Sequence, residues 1–290
     1  MIKKIIQKSL NRIIPGNKPN FIIAGAQKSG TTSLYYYLNQ HPKLIGSTPK
    51  EVRFFNRDKN YEKGENWYKN AFKDYKKPLK KGLYFEATPE YLYRRSVAER
   101  IHDFDPSLKI IVILREPIKR AYSSWNMYRD FPIKFKGKLP GALSSEYGYV
   151  NDRQNNIVKE LYKTDKFPSF EEVIASEMDK IENESELEEP SFIRRGIYLP
   201  QIKKYHELFG KDQVLVLGFN EFTENKIETL NKILLFLNIQ KDNWTFLNGE
   251  KMNFRNYPQK IGTEMYKKLR DFYTPYNKAL FEYLGKKIDW

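Results

Sequence analysis

The stretch that most constrains this chain is Phe21–Leu38, FIIAGAQKSGTTSLYYYL. It opens on a short apolar run, Phe21-Ile22-Ile23-Ala24, of the kind that suits a buried strand in a parallel sheet. It closes on Leu34-Tyr35-Tyr36-Tyr37-Leu38, apolar or aromatic on most sides, which reads as a mostly buried helix. Between the two lies Gly25-Ala26-Gln27-Lys28-Ser29-Gly30-Thr31-Thr32, a glycine-bounded turn carrying one cation and three hydroxyls. A strand that feeds a helix through such a turn presents backbone N–H groups at the helix N-terminus. The expected guest is an anion, a phosphate or a sulfate.

The spacing G-x-x-x-x-G-T-T comes close to the nucleotide-binding P-loop, G-x-x-x-x-G-K-[ST]. The lysine of that motif is replaced by Thr31, and a lysine stands three residues earlier as Lys28. Moving the cation into the loop changes which oxygen it can neutralise. A chance glycine turn is the plainer reading, but the flanking strand and helix pattern, Lys28, Ser29, Thr31 and Thr32 together weigh against it.

A chain of 290 residues with 40% hydrophobic and 15% aromatic content can bury a substantial core. No apolar run approaches the roughly 18 residues of a membrane span. No secretory segment follows Met1, and there is no cysteine, so a reducing cytoplasmic setting is the expectation. Three scattered histidines and no thiolate make a zinc site improbable, and no metal is expected. The net charge of +15 is uneven: residues 171–189 hold nine acids against Lys180, a net of −8 that leaves +23 for the remainder. Such a body attracts polyanions. Solvated lysine faces account for much of the excess in the plainer reading, and no nucleic-acid module signature is present, so nucleic acid is not an expected partner.

Residues 2–14 place Ile2, Ile5, Ile6, Leu10, Ile13 and Ile14 at helical spacing among Lys3, Lys4, Lys8 and Arg12. This predicts a basic amphipathic helix within an N-terminal segment 1–18, suited to peripheral contact with an anionic membrane or to packing on the domain. Thr48-Pro49-Lys50-Glu51 has the form of a capping box with proline at the first helical position. Residues 57–82 read as surface helix and loop. Leu83–Glu86 reads as a strand, followed by a helix over about 93–104. Lys109–Leu114, KIIVIL, is the clearest buried strand and runs into Arg115-Glu116-Pro117, where Pro117 starts a helix carrying Ser123. Residues 131–168 should be loop-rich. A helix over Leu199–Phe209 stops at Gly210, Val214–Leu217 forms another strand, and Asn220–Leu237 reads as one amphipathic helix. Residues 241–261 look irregular, and a final helix covers Gly262–Leu284. Strands alternating with helices predict an α/β fold, a P-loop-like doubly wound parallel sheet flanked by helices, in a single domain over 19–290.

With these residues in hand, the chain resembles the PAPS-dependent sulfotransferases, nearest the heparan-sulfate, carbohydrate-modifying type. PAPS is 3′-phosphoadenylyl sulfate, the activated sulfate donor. QKSGTT at 27–32, PKEVRFFN at 49–56, LREPIKRAYS at 114–123 and FRNYP at 254–258 carry the resemblance, in the family's order, from about residue 20 to the closing tryptophan. It implies that Gln27, Lys28, Ser29, Gly30, Thr31 and Thr32 hold the 5′-phosphosulfate, with Lys28 stabilising the leaving phosphate. It implies that Arg115 and Ser123 take the 3′-phosphate, with Arg255 and Lys251 beside them. It also implies Glu51 as the general base toward an acceptor hydroxyl, although the capping box would explain that carboxylate equally well. His41, His102 and His206 fall in no motif, and structural roles are expected for all three.

Two departures stand out: the heparan-sulfate enzymes carry a lysine where FEATPEY has Ala87, and their disulfide-closed hairpin is impossible without cysteine. The acceptor implied is a carbohydrate hydroxyl on a polysaccharide, glycolipid or glycoside. A P-loop kinase or NTPase, and a non-catalytic polyanion-binding protein, are the competing readings.

Overall fold

The computed structural model describes residues 16–72, 82–130, 167–182, 191–245, 247 and 261–290. The amphipathic segment 2–14, most of the loop-rich stretch 131–168, and Lys251 and Arg255 lie outside the described residues.

The elements follow in chain order. Strand β1, Phe21–Gly25, leads to helix α1, Thr31–Leu38, and then to the short strand β2, Leu44–Gly46. Helices α2, Asp58–Tyr61, and α3, Gly64–Lys69, precede β3, Leu83–Ala87. Helix α4, Arg95–Phe104, strand β4, Lys109–Leu114, and helix α5, Pro117–Arg129, come next. The second half holds α6, Phe170–Glu182, α7, Tyr198–Phe209, β5, Val214–Gly218, α8, Phe219–Glu224, α9, Lys226–Phe236, and α10, Thr263–Leu284.

The five strands form one parallel sheet in the order β2-β3-β1-β4-β5. Alternation along the strands divides the core. Ile22 and Ala24 of β1, with Ile110 and Val112 of β4, face α4, α7 and α10. Phe21 and Ile23, with Ile111 and Ile113, face α1 and α9. Helices on both faces explain why these strands read as continuous apolar runs. The α/β, doubly wound architecture predicted from the alternation of strands and helices is the one found.

Chain order and sheet order decide where a ligand belongs. From β1 the chain crosses to the edge strand β2, comes back to β3 beside β1, and then lays β4 and β5 on the other side. The reversal falls at β1 and β4, and the crevice at such a switch point, beyond the carboxyl ends of the strands, is where open α/β sheets place their ligands. The register between β1 and β4 shifts at Gly25, where β1 gives way to the glycine turn.

Several expectations require correction. No helix begins at Thr48-Pro49: residues 47–54 run as irregular coil, and the next helix starts at Asp58. A residue before proline is held away from the helical region, and the Thr48 N–H is taken by the Ala71 carbonyl at 2.8 Å rather than by a turn of helix. A reciprocal capping box does exist at α6: the Glu172 carboxylate accepts from the Ser169 N–H at 2.7 Å, and the Ser169 hydroxyl accepts from the Glu172 N–H at 3.2 Å.

The stretch 57–72 holds short, mostly accessible helices as expected, but it is anchored in the core through Tyr68 and Phe72. Tyr68 stacks on Phe54 at 4.6 Å and both are buried, with Phe72 beside them. Asn220–Leu237 is two helices, broken at Asn225 with φ −118° and ψ 54°. Strand β2 was not anticipated; at three residues it is too short to show a period, and it is fixed by pairing with Leu83–Phe85.

Candidate functional site

The turn after β1 is shaped by backbone and glycine. Gly30 is the N-cap of α1 with φ 87°, a left-handed conformation that glycine adopts without strain. A Cβ there would lie 2.9 Å from the Phe219 ring, so the close approach also excludes a side chain. The Ala26 N–H donates to the Ile113 carbonyl at 2.8 Å and the Ser29 N–H to the Ala26 carbonyl at 3.1 Å, which ties the turn to β4 and to itself. Lys28 has φ 70°. Ser29 and Thr31 are buried, and Gln27, Lys28 and Thr32 are partly accessible.

Arg115 follows the last residue of β4. Its Nη1 donates to the Lys28 carbonyl oxygen at 3.2 Å, and its guanidinium stacks over Phe219 at 5.0 Å. The Tyr198 hydroxyl donates to the Arg115 carbonyl at 2.7 Å. Ser123 lies about two turns into α5 and is buried. That helix starts as its sequence predicts, with Pro117 at the first position and Glu116 capping the Lys119 N–H at 2.9 Å.

The segment bearing Glu51 crosses the carboxyl end of β3. Ser47 N–H donates to the Phe85 carbonyl at 2.8 Å, and Arg53 N–H to Thr88 Oγ1 at 3.3 Å. Leu92 N–H donates to the Ala24 carbonyl at 2.9 Å, which fixes the loop after β3 against β1. Residues 27–32, Arg115 and the Glu51 segment therefore converge on the carboxyl ends of three adjacent strands. Glu51 itself is part-exposed; Arg53 donates to its Oε2 from Nη2 at 2.5 Å and Nε at 3.1 Å, and Lys50 Nζ reaches Oε1 at 3.3 Å. Burial lowers the Lys50 pKa against the opposing pull of Glu51.

Buried charge around this convergence was not singled out from the sequence. Glu86 and Glu90, from EATPEY, are both buried. Burial opposes ionisation of Glu90, yet Arg53, Arg195, Arg57 and Arg94 hold its carboxyl below the usual range. Asn56 Nδ2 donates to the same carboxylate at 2.7 Å. Arg195 Nη1 reaches Gln27 Oε1 at 3.4 Å. It comes from RRGIY, which the buried Glu177 carboxylate sets in place by accepting from the N–H groups of Phe192, Ile193 and Arg194 at 2.7, 2.8 and 2.9 Å.

Arg120 is also fully buried and donates through Nη2 to the Phe192 carbonyl. Arg120, Arg195 and Gln27 line a cavity of about 10 Å³, room for a single water. This cavity shares Leu92, Tyr93 and Gln201 with an open groove of about 690 Å³ whose walls include Arg94, Arg194, Lys203, Lys204 and Glu207. EATPEY and RRGIY offered a signal, charges set inside apolar or aromatic surroundings, but no periodicity that locates them.

The histidines have structural partners. His41 is buried against Trp244 and pairs with Asp242 at 3.4 Å, His102 packs on Phe209, and His206 Nδ1 lies 3.1 Å from the Tyr283 hydroxyl.

Comparison with known proteins gives this geometry its context. The family model described as "Sulfotransferase domain" matches residues 18–272. The chain is 28% identical over 283 residues to heparan sulfate glucosamine 3-O-sulfotransferase 5 of Mus musculus, covering 94% of this chain and 74% of that protein. It is 36% identical over 117 residues to bifunctional heparan sulfate N-deacetylase/N-sulfotransferase 3 of Homo sapiens, which covers 39% of this chain and 13% of that protein. Among solved structures, a sulfotransferase from Alicyclobacillus acidocaldarius superposes with a TM-score of 0.66 at 23% identity, covering 94% of this chain and 98% of that one. The chain belongs to the sulfotransferase family, and relatives matching it over most of its length are heparan sulfate enzymes.

Proposed function

We propose that the protein transfers the sulfuryl group of PAPS to a hydroxyl of a carbohydrate, with Lys28 and Glu51 acting on the two sides of the transferred group. The observation that carries this reading is the Arg115–Lys28 contact at the β1–β4 switch point. It ties the Arg115 guanidinium to the backbone of Lys28 where a nucleotide carrying two separate anionic groups would lie. The cradle fits such a donor, because Gly30 lets the turn into α1 form with no side chain against Phe219, and Phe219 and Tyr198 hold the Arg115 side chain and backbone.

PAPS supplies an activated sulfuryl group whose departure leaves a phosphate oxygen with growing negative charge. Lys28 and the amides at the start of α1 stabilise that charge as it develops, an interaction stronger in the transition state than in the ground state. Arg115, with a planar guanidinium able to make two parallel hydrogen bonds, takes the 3′-phosphate together with Ser123. Glu51 accepts the proton of the attacking hydroxyl. Its Oε2 accepts twice from Arg53, while Oε1 accepts, among the described residues, from Lys50 alone and retains a lone pair for an acceptor hydroxyl. These contacts orient the carboxylate. Lys251 and Arg255 are assigned to the same phosphate through the resemblance alone.

The acceptor we assign is an acidic polysaccharide. Arg53, Arg57, Arg94 and Arg195 outnumber the carboxylates of Glu90 and Glu51, and the adjoining groove adds Arg194, Lys203 and Lys204 against Glu207. The relatives named as heparan sulfate enzymes point the same way. Calorimetry with PAP, the desulfated product, against ADP in EDTA tests the donor. Tight PAP binding that ADP cannot match supports the assignment; equal affinity for both would remove the 3′-phosphate from the site.

A further inference from the structure

Glu86 has no part in the mechanism above, yet it is fully buried at the carboxyl half of β3. A carboxylate in such a place is costly unless its lone pairs are satisfied. Three hydroxyls satisfy them: Tyr68 donates to Oε1 at 2.5 Å, Tyr91 to Oε1 at 3.1 Å, and Thr88 to Oε2 at 2.7 Å.

Two of those hydroxyls also face the segment that carries Glu51. Thr88 Oγ1 accepts from the Arg53 N–H at 3.3 Å, and the Tyr91 oxygen accepts from the Phe54 N–H at 2.9 Å and the Phe55 N–H at 3.4 Å. Glu86 also accepts a backbone hydrogen bond from Val52. A hydroxyl has one proton to give. Once Thr88 and Tyr91 have given theirs to Glu86, only lone pairs are left to meet the backbone N–H groups. Glu86 thus sets the direction of both relays.

The segment has no helical or strand pairing of its own across residues 51–54, so these bonds stand where secondary structure would otherwise satisfy the backbone. We propose that Glu86 is a positioning residue which, through the hydroxyls of Thr88 and Tyr91, fixes the backbone of residues 52–55 and thereby the placement of Glu51. Burial pushes the Glu86 pKa up to about 7 against the three hydroxyl donors, as expected for a carboxyl that serves as an internal anchor rather than a surface charge.

The catalytic half of this inference rests on Glu51 being the base; the structural half does not. The test uses the full chain and the variants Glu86→Gln, Thr88→Val and Thr88→Ser. Amide exchange is followed by mass spectrometry, and kcat and PAP affinity are measured on the same preparations. We expect exchange at residues 52–55 to quicken at least tenfold in Glu86→Gln and Thr88→Val while α1 is unchanged. We expect kcat to fall at least tenfold, PAP affinity to stay within twofold, and Thr88→Ser to restore both exchange and kcat.

Thr88→Val keeps the core volume and reports even if Glu86→Gln does not fold. Unchanged exchange at 52–55, or exchange raised equally throughout the molecule, overturns the relay. Faster exchange with kcat intact overturns the positioning role. If the wild-type chain turns over no acceptor, the assignment of Glu51 fails, and the exchange data alone decide whether Glu86 orders the segment.

Discussion

Arg115 Nη1 donates to the Lys28 carbonyl oxygen at 3.2 Å, so the residue just after β4 and the backbone of the glycine turn form one unit. Neither is placed independently. Phe219, leaving β5, stacks on the Arg115 guanidinium and closes on Gly30, and Tyr198 at the start of α7 holds the Arg115 carbonyl. Four elements thus fix the Arg115 guanidinium and the Lys28 backbone at the switch point of the sheet, where the geometry of an open α/β sheet calls for a ligand.

Lys28→Ala and Arg115→Ala should each weaken PAP binding roughly 10- to 100-fold, since a charge-assisted hydrogen bond is worth about 1.5–3 kcal/mol and each 1.4 kcal/mol is tenfold. Because Arg115 also holds the loop of Lys28, the double variant should lose less than the two single losses combined. Calorimetry of all three variants checks this; unchanged affinity in either single variant contradicts the assignment.

Gly30→Ala should destabilise the fold by on the order of 1–2 kcal/mol from backbone strain alone, given φ 87°. Phe219 must also move, because the new Cβ would sit 2.9 Å from its ring. Urea denaturation should show a lower midpoint with an unchanged slope, and PAP affinity should fall with it. Wild-type stability would mean that the turn relaxes without strain.

Glu51→Gln should abolish turnover at a stability cost below about 1 kcal/mol. The carboxylate caps no helix, and its pairs with Arg53 and Lys50 are part-exposed, a setting in which ion pairs contribute little. Steady-state kinetics beside thermal melting separates the two roles. A large loss of stability with residual turnover would make Glu51 a scaffold residue.

Glu86 gives a pH signature. Its folded-state pKa of about 7 lies above the ordinary value of 4.5, so the folded chain binds the extra proton between those limits. Stability contributed by this group is present below pH 4.5 and is lost as pH rises toward 7, by at most about 3 kcal/mol at 1.36 kcal/mol per pK unit. Tyr68 and Tyr91 face Glu86 directly, Lys50 is the nearby cation, and Tyr35 also senses its charge. Urea melts from pH 4.5 to 7.5 should show wild type losing stability relative to Glu86→Gln. A constant difference across that range would contradict it.

The parts of this molecule that were legible in the sequence share one cause, local physics. KIIVIL, VLVL and FIIA are buried on both faces and announce themselves as apolar runs, and Pro117 and Gly210 mark their helix ends. The glycine turn and Arg115 could be read because each adjoins such a strand. Thr48-Pro49-Lys50-Glu51 misled because a capping pattern is local, whereas the Ala71 carbonyl that takes the Thr48 N–H lies across the fold. Glu86, Glu90, Arg120 and Arg195 escaped notice for the same reason: their partners come from distant segments, and charge inside a core has no period. Ala87 is buried at the end of β3, and Lys50 is a cation that lies near its neighbour Glu86.

The most direct measurement is sulfuryl transfer itself. Purified protein is incubated in EDTA with radiolabelled PAPS and a panel of heparan sulfate, desulfated heparan and neutral glycans, with PAP release and label on the acceptor counted together. The account predicts one PAP released for each sulfate transferred, preference for the acidic polysaccharides, and loss of both signals in Lys28→Ala and Glu51→Gln. No PAP release from any acceptor, together with no PAP-dependent rise in melting temperature, would contradict it.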